Sequence, residues 1–175
     1  TVPPGATAAE AMAVMERHNI RVLPVLTESG KCRGLVSVFK MNKYFFPAPN
    51  RLFDSRRVSA SIRNIAATIS GQVVYADDPE REDDLILMIG AMNLESFARR
   101  LPQYPRERIL VVVGDRMEIQ ELAIREGVRG VIVTGGLPIS QAITDYAKKN
   151  KVAMIISPHD STTTAMLCRA AVTVN

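Results

Sequence analysis

The chain has 175 residues, of which 47% are hydrophobic and 23% charged, and its formal net charge is +4 at pH 7. This composition fits one or two folded domains and excludes a low-complexity protein. Aromatic residues make up only 5% and the Lys and Arg residues are scattered, so we expect no nucleic-acid partner. We also expect no membrane association, because no apolar run reaches the ~20 residues of a membrane span.

The two cysteines, Cys32 and Cys168, lie far apart and form no Cys-x-x-Cys pattern. This usage is typical of a reducing compartment and excludes a cysteine-based zinc site, so we expect a cytoplasmic protein. The chain lacks an initiator Met, and residues 1–2 and 172–174 have a strand-like composition. We therefore expect a piece of a longer polypeptide, in which residues 172–175 begin a following segment.

Residues 1–45 predict a small unit of helices and strands. Thr7, with Glu10 three residues later, has the spacing of a capping box and precedes an apolar helical stripe. Asn19 is expected to end that helix. The apolar segments 21–25 and 33–38 predict two strands joined by a short turn, and a second helix is expected from about Phe39.

This unit resembles a single cystathionine-β-synthase (CBS) motif, with the order β-α-β-β-α. The shared features are V-P-P-G-A-T-A-A-E-A-M at 2–12, I-R-V-L-P-V at 20–25 and G-L-V-S at 34–37. CBS motifs work in pairs that hold adenine nucleotides between them. The resemblance implies nucleotide-binding roles for Arg21, Val22, Ser37 and Lys40, with the Ser37 hydroxyl on phosphate or ribose. Lys40 stands where the family has an acidic residue, and a cation there would meet a phosphate as a point charge.

Residues 46–58 contain two prolines and three arginines without periodicity, which predicts a linker. Its aromatics Phe46 and Phe53, with Phe45, are expected to pack the two flanking units together. From residue 59 the pattern predicts a helix, a strand at 72–76, an acidic loop at 77–84 and an apolar run at 85–89. A helix capped by Asn93 is expected over 94–101.

The stretch 109–136 predicts a strand–helix–strand unit. Two β-branched runs, Ile109–Val113 and 131–133, show no polar alternation, as expected of parallel strands covered on both faces. Gly127 is expected to end the helix between them. Ligands of such sheets bind beyond the carboxyl ends of the strands, where residues 115–116 and 134–136 fall. Pro138 then predicts the start of a helix, followed by a strand at 152–157 and a helix through 169.

The order of motifs resembles the DRTGG domain, a family named for the residues Asp115-Arg116 and Thr134-Gly135-Gly136. The match extends to G-A-M at 90–92 and S-P-H-D-S-T-T at 157–163, so it covers residues 59–171. The resemblance implies an α/β domain with a mostly parallel sheet flanked by helices and without an established catalytic activity.

A possible anion site lies at the strand ends, and each member also has a structural explanation. Its members are Asp115, Arg116, Thr134, Gly135, Gly136 and Asp160. The Asp-Arg pair could brace a loop, the two glycines could serve a tight turn, and Asp160 could simply cap a helix. Both explanations stay open at this point.

A CBS motif followed by a DRTGG domain resembles the regulatory region of CBS-containing family II inorganic pyrophosphatases. Those are manganese- or cobalt-dependent cytosolic homodimers that AMP and ADP inhibit and that ATP or diadenosine polyphosphates activate. The resemblance implies a regulatory fragment that senses adenine nucleotides, mediates dimerisation and contacts the catalytic domains of the parent chain. Only two histidines, His18 and His159, are present, so catalysis and the Mn²⁺ or Co²⁺ site are expected in the parent catalytic domain.

Three alternatives remain. The chain could be a purely structural dimerisation module. It could be the regulatory part of another DRTGG protein, such as a phosphotransacetylase or a CBS-containing transcriptional regulator. It could also be an independent enzyme that acts on a phosphorylated substrate at the strand ends.

Overall fold

The structure is a computed structural model that describes residues 1–45 and 56–174. The N-terminal unit contains α1 (Ala8–Arg17), β1 (Val22–Leu26), β2 (Cys32–Ser37) and α2 (Val38–Phe45). β1 and β2 pair antiparallel, and Val2 forms a parallel bridge to Val25. This is the β-α-β-β-α order that the CBS resemblance implies.

Local sequence starts and ends α1 as predicted. The Thr7 hydroxyl accepts a hydrogen bond from the Glu10 amide at 3.1 Å, and the Glu10 carboxylate accepts one from the Thr7 amide at 2.6 Å. The helix ends at Arg17, and Asn19 adopts a φ of 49°, a left-handed conformation that asparagine tolerates. The capping box therefore fixes where the helix begins.

The second unit is built on a six-stranded sheet in the order β3-β5-β6-β7-β8-β4. Strands β5 to β8 are parallel, and the two edge strands pair antiparallel with their neighbours. The strands are β3 (Arg57–Ser61), β4 (Gln72–Tyr75), β5 (Glu82–Ile89), β6 (Ile109–Val113), β7 (Gly130–Val133) and β8 (Ala153–Ile156). The predicted mostly parallel sheet is confirmed.

Helices cover both faces of this sheet. They are α3 (Ile62–Thr68), α4 (Leu94–Arg100), α5 (Met117–Arg125), α6 (Gln141–Lys149) and α7 (Ser161–Cys168), with a short 3₁₀ turn at Arg169–Ala171. Along β6, Val111 and Val113 pack under α4, α5 and α6, whereas Leu110 and Val112 pack under α3 and α7. Burial on both faces explains why β6 has no polar residue.

Three local predictions were wrong. Residues 57–58 were assigned to the linker, but they belong to β3. The acidic residues 82–84 were assigned to a loop, but they form the first half of β5 and pair with β3. Pro138 does not open α6, which begins at Gln141 because the Ser140 hydroxyl accepts the Ile143 amide at 3.3 Å. The packing predicted for Phe46 and Phe53, and for the Phe45 side chain, lies outside the described residues.

The end of the described chain returns to the N-terminal unit. The Val174 side chain is buried in the core of that unit. Its amide donates to the Ala6 carbonyl at 2.6 Å, and the Ala8 amide donates to the Val172 carbonyl at 2.7 Å. The two units are therefore joined by pairing between residues 5–8 and residues 172–174. The second of these segments follows directly on the turn after α7.

Candidate nucleotide and anion sites

Four residues implied by the CBS resemblance lie together where β1 begins and α2 begins. Val22 pairs with Ser37 across the hairpin, and the Arg21 carbonyl accepts the Val38 amide at 3.1 Å. The Ser37 hydroxyl accepts the Lys40 amide at 3.2 Å and so caps α2. The side chains of Arg21 and Lys40 are exposed. The backbone thus places a hydroxyl and two cations at one end of the hairpin.

A cavity of about 330 Å³ opens between α1 and the start of α2. It is lined by Met12, Met15, Glu16, Asn19, Ile20 and Val38. Ile20 directly precedes Arg21 and Val38 directly follows Ser37, whereas none of the four implied residues is among the described residues that line the cavity. The sequence prediction missed the α1 side of this site. The signal was the spacing of residues 12, 15 and 16, which puts them on one face of α1.

The two glycines after β7 join neighbouring strand ends. The Gly135 amide donates to the His159 carbonyl at 2.7 Å, and the Gly136 amide donates to the Ser157 carbonyl at 2.8 Å. Their φ angles of 85° and 66° are left-handed, which glycine adopts without steric cost. Both amides are therefore engaged with backbone carbonyls in this structure.

Asp160 caps α7 and lies beside Thr134. One carboxylate oxygen of Asp160 accepts the amides of Thr162 and Thr163 at 2.9 and 3.0 Å, and the other accepts the Thr163 hydroxyl at 2.7 Å. Hydrogen bonds from the Thr163 amide and hydroxyl, in that order, lower the pKa of Asp160. The buried Thr134 hydroxyl lies 2.8 Å from the hydroxyl of Ser161, the first residue of α7.

Asp115 and Arg116 lie one strand away, at the end of β6. The Arg116 guanidinium donates to the carbonyls of Gly90 and Met92 and lies 3.3 Å from the Glu118 carboxylate, so it braces the loop after β5. Asp115 is exposed, and its carboxylate has no hydrogen-bond or ion-pair partner among the described residues. The structure thus places Thr134, Gly135, Gly136 and Asp160 together and directs Arg116 away. Anion binding there stays a prediction.

Buried polar side chains that the sequence prediction missed support these loops. The hydroxyls of Ser157 and Thr164 lie 2.7 Å apart, and both residues are fully buried. The Gln120 side chain donates to the Gly114 carbonyl at 2.8 Å. Each of these two hydrogen bonds satisfies a buried polar group at a strand end and so makes the geometry of the loop specific. For Ser157 the signal was a polar residue directly after the apolar run 152–156.

Two absences concern residues 1–45 and 56–174. Within these ranges, no group of three or more His, Cys, Asp or Glu side chains could hold a metal ion. None of the helices there is long and apolar enough to cross a membrane.

The structure therefore combines a small hairpin unit that has an open cavity with a three-layer α/β domain. The chain belongs to the DRTGG domain family. The DRTGG domain model matches residues 64–171, more than half of the chain, and the CBS domain model matches residues 1–45.

Two comparisons extend this assignment. The chain is 29% identical over 160 residues to the cobalt-dependent inorganic pyrophosphatase of Clostridium perfringens (strain 13 / Type A). That match covers 90% of this chain and 28% of the relative, so the chain spans little more than a quarter of the curated relative.

The chain is also similar to a crystal structure of the CBS and DRTGG domains of the regulatory region of Clostridium perfringens pyrophosphatase, complexed with its activator, diadenosine tetraphosphate. The TM-score is 0.82 at 27% identity, covering 99% of this chain and 73% of that one. The predicted resemblance to the regulatory region of a CBS-containing pyrophosphatase is confirmed.

Proposed function

We propose that this chain is a nucleotide-sensing regulatory part of an inorganic pyrophosphatase and that its N-terminal unit binds an adenine nucleotide. The observation that carries the proposal is the cavity between α1 and α2, whose lining residue Val38 directly follows Ser37, the cap of α2. The similarity to a regulatory region solved with diadenosine tetraphosphate supports the same ligand class.

The chemistry around the cavity suits the two ends of a nucleotide. Met12, Ile20 and Val38 offer an apolar surface to a planar base, and the Glu16 carboxylate can accept a hydrogen bond from an amino group or a ribose hydroxyl. The Ser37 oxygen already accepts the amide of residue 40, which leaves its proton to donate to a phosphate. The exposed Lys40 supplies the positive charge.

The N-terminal unit also leaves apolar side chains uncovered. Val22 is 47% exposed, Leu35 58% and Phe39 89%. An apolar surface of this kind favours association over solvation. We propose that a second copy of the protein, bringing its own CBS motif, covers these residues in a homodimer. A nucleotide bound near this surface would then favour one arrangement of the two subunits, provided that its affinity differs between arrangements.

The catalytic role belongs to the parent polypeptide in this proposal. The pyrophosphatase relative is much longer than this chain, and we propose that pyrophosphate hydrolysis with Mn²⁺ or Co²⁺ takes place in catalytic domains outside residues 1–175, in the cytoplasm. We further propose a division into a CBS motif (1–45), a linker that ends before β3, and a DRTGG domain that begins with β3 and ends at residue 171.

Calorimetric titration of the full-length protein with AMP tests the binding site. We expect saturable heat, weakened by Ser37→Ala. Because Ser37 also caps α2, the matched control is Ser140→Ala, which removes the cap of α6 and leaves the cavity intact. Lys40→Gln should weaken AMP binding more than adenosine binding. Absence of heat at millimolar AMP, or equal weakening by both serine substitutions, would contradict the proposal.

A purely structural dimerisation module remains the second candidate, since the exposed Leu35 and Phe39 favour a dimer whether or not a nucleotide binds. Light scattering distinguishes the two functions. If a substitution of Phe39 lowers the measured mass of the dimer, and AMP does not change the stability of the dimer, the structural role is favoured.

A further inference from the structure

A second cavity, of about 340 Å³, lies at the carboxyl end of β5 in the DRTGG domain. Its walls come from β5, the loop before α4, the end of α4 and one side of α7. None of the six residues of the predicted anion site lines it. The volume falls within the range of roughly 300–1,000 Å³ that is usual for small-molecule sites.

Beside this cavity, two neighbouring strands differ in length. β3 pairs with β5 only as far as the Arg57–Ile86 pair. Residues 87–89 of β5 continue beside β6 and have no partner strand on the β3 side among the described residues.

The charged groups around this space all have the same sign. Arg56, Arg100 and Arg169 line it, and its described lining contains no carboxylate. The three come from separate parts of the chain: the residue before β3, the end of α4 and the turn after α7. Partial burial of Arg169 lowers its pKa. An anion placed beside Arg56 and Arg100 would be stabilised by charge-assisted hydrogen bonds.

The remaining lining is almost entirely apolar. Met88, Met92 and Met166 contribute flexible thioether side chains, and Met166 is 65% exposed. Methionine surfaces adapt to flat or irregular apolar groups. The cavity thus combines an adaptable apolar wall with positive charge.

We propose that this cavity binds a small organic phosphate with a planar apolar body. The body would lie against the three methionines, and the phosphate would pair with Arg56 and Arg100. The site is separate from the N-terminal cavity, so each can be present without the other.

The test uses the full chain labelled with ¹³C at the methionine methyl groups and titrated with 1-naphthyl phosphate. Met88, Met92 and Met166 report on this cavity, whereas Met12 and Met15 report on the N-terminal one. We expect saturable shifts in the first group. Because the apolar body and the anion each contribute binding energy, 1-naphthol and inorganic phosphate should each bind at least about tenfold more weakly.

Adjacent arginines of α4 provide a matched pair of variants. Arg100→Gln should weaken 1-naphthyl phosphate binding by about tenfold or more. Arg99→Gln should have little effect, because Arg99 is exposed, pairs with Glu95 and does not line the cavity. The resonance of the buried Met154 reports that each variant remains folded.

Three outcomes would overturn the proposal. The first is no shift of the cavity methionines at millimolar ligand, or shifts confined to Met12 and Met15. The second is binding of 1-naphthol as tight as that of its phosphate. The third is equal weakening by the two arginine substitutions, which would indicate unspecific electrostatic attraction.

Discussion

Replacing Val174 by alanine tests whether the end of the described chain stabilises the N-terminal unit. The Val174 side chain is 8% exposed and packs in a cluster with Ala6, Leu23 and Val25. The hydrogen bonds between residues 5–8 and 172–174 use main-chain atoms, so the substitution leaves them in place. Only the packing of the side chain changes.

The expected loss follows from the size of the deletion. Burying one CH₂ group stabilises a protein by about 0.8 kcal/mol, so removing two carbons costs about 1.6 kcal/mol. The cavity left behind raises the cost to about 2 kcal/mol. This corresponds to about a 30-fold increase in the equilibrium constant for opening the N-terminal unit.

Hydrogen exchange measured by mass spectrometry gives the local result. Amides of β1 and β2 should exchange about 30-fold faster in Val174→Ala, whereas those of β6 and β7 should keep their rates. Val73→Ala is the control, because this valine is 37% exposed on β4. Unchanged exchange in the N-terminal unit, or equal acceleration in β6 and β7, would refute the reasoning.

Three further predictions concern buried and capping groups. Burial raises the pKa of Cys168 to about 12, so at pH 8 a thiol reagent should modify only the exposed Cys32 until the protein unfolds, and rapid modification of both in the folded state would contradict this. Asp160→Ala should destabilise the protein at pH 7. The pKa of Asp160 is lowered in the folded protein, so the stabilisation by its carboxylate is lost as the pH falls through the folded pKa. If the substitution lowered the unfolding free energy as much in strong acid as at pH 7, the reasoning would be wrong. Asp83→Ala removes the carboxylate 2.6 Å from the buried Arg129 and should lower the unfolding free energy in urea by about 3 kcal/mol; a loss below about 1 kcal/mol, as for surface pairs, would disagree.

Features decided by neighbouring residues could be predicted from the sequence. The capping box at Thr7 is one, and the cap at Asn93, whose side-chain oxygen accepts the Ser96 amide at 2.9 Å, is another. The strands β6 and β7 could also be predicted, because strands buried on both faces are apolar throughout and show no polar alternation. The sequence also predicted that Val22 and Ser37 lie together, through the resemblance to a CBS motif.

Features decided by distant partners could not be predicted. β3 was missed because its pairing with residues 82–86 depends on chain more than twenty residues away, and its short alternating segment offers only Val58 and Ala60 as apolar residues. The acidic residues 82–84 at the start of β5 form a strand because each of them pairs with a residue of β3. Likewise, the ion pair of Arg129 with Asp83 and the docking of Val174 need the folded chain. Helical spacing puts Met12, Met15 and Glu16 on one face of α1, but only the folded chain brings that face next to Val38 of α2.

A crystal structure of the protein grown with saturating AMP tests the central claim most directly. We predict density for the base against Met12 and Ile20 and for the phosphate within hydrogen-bonding distance of the Ser37 hydroxyl or the Lys40 ammonium. An empty cavity between α1 and α2, in crystals where no neighbouring molecule blocks it, would contradict the proposed nucleotide site.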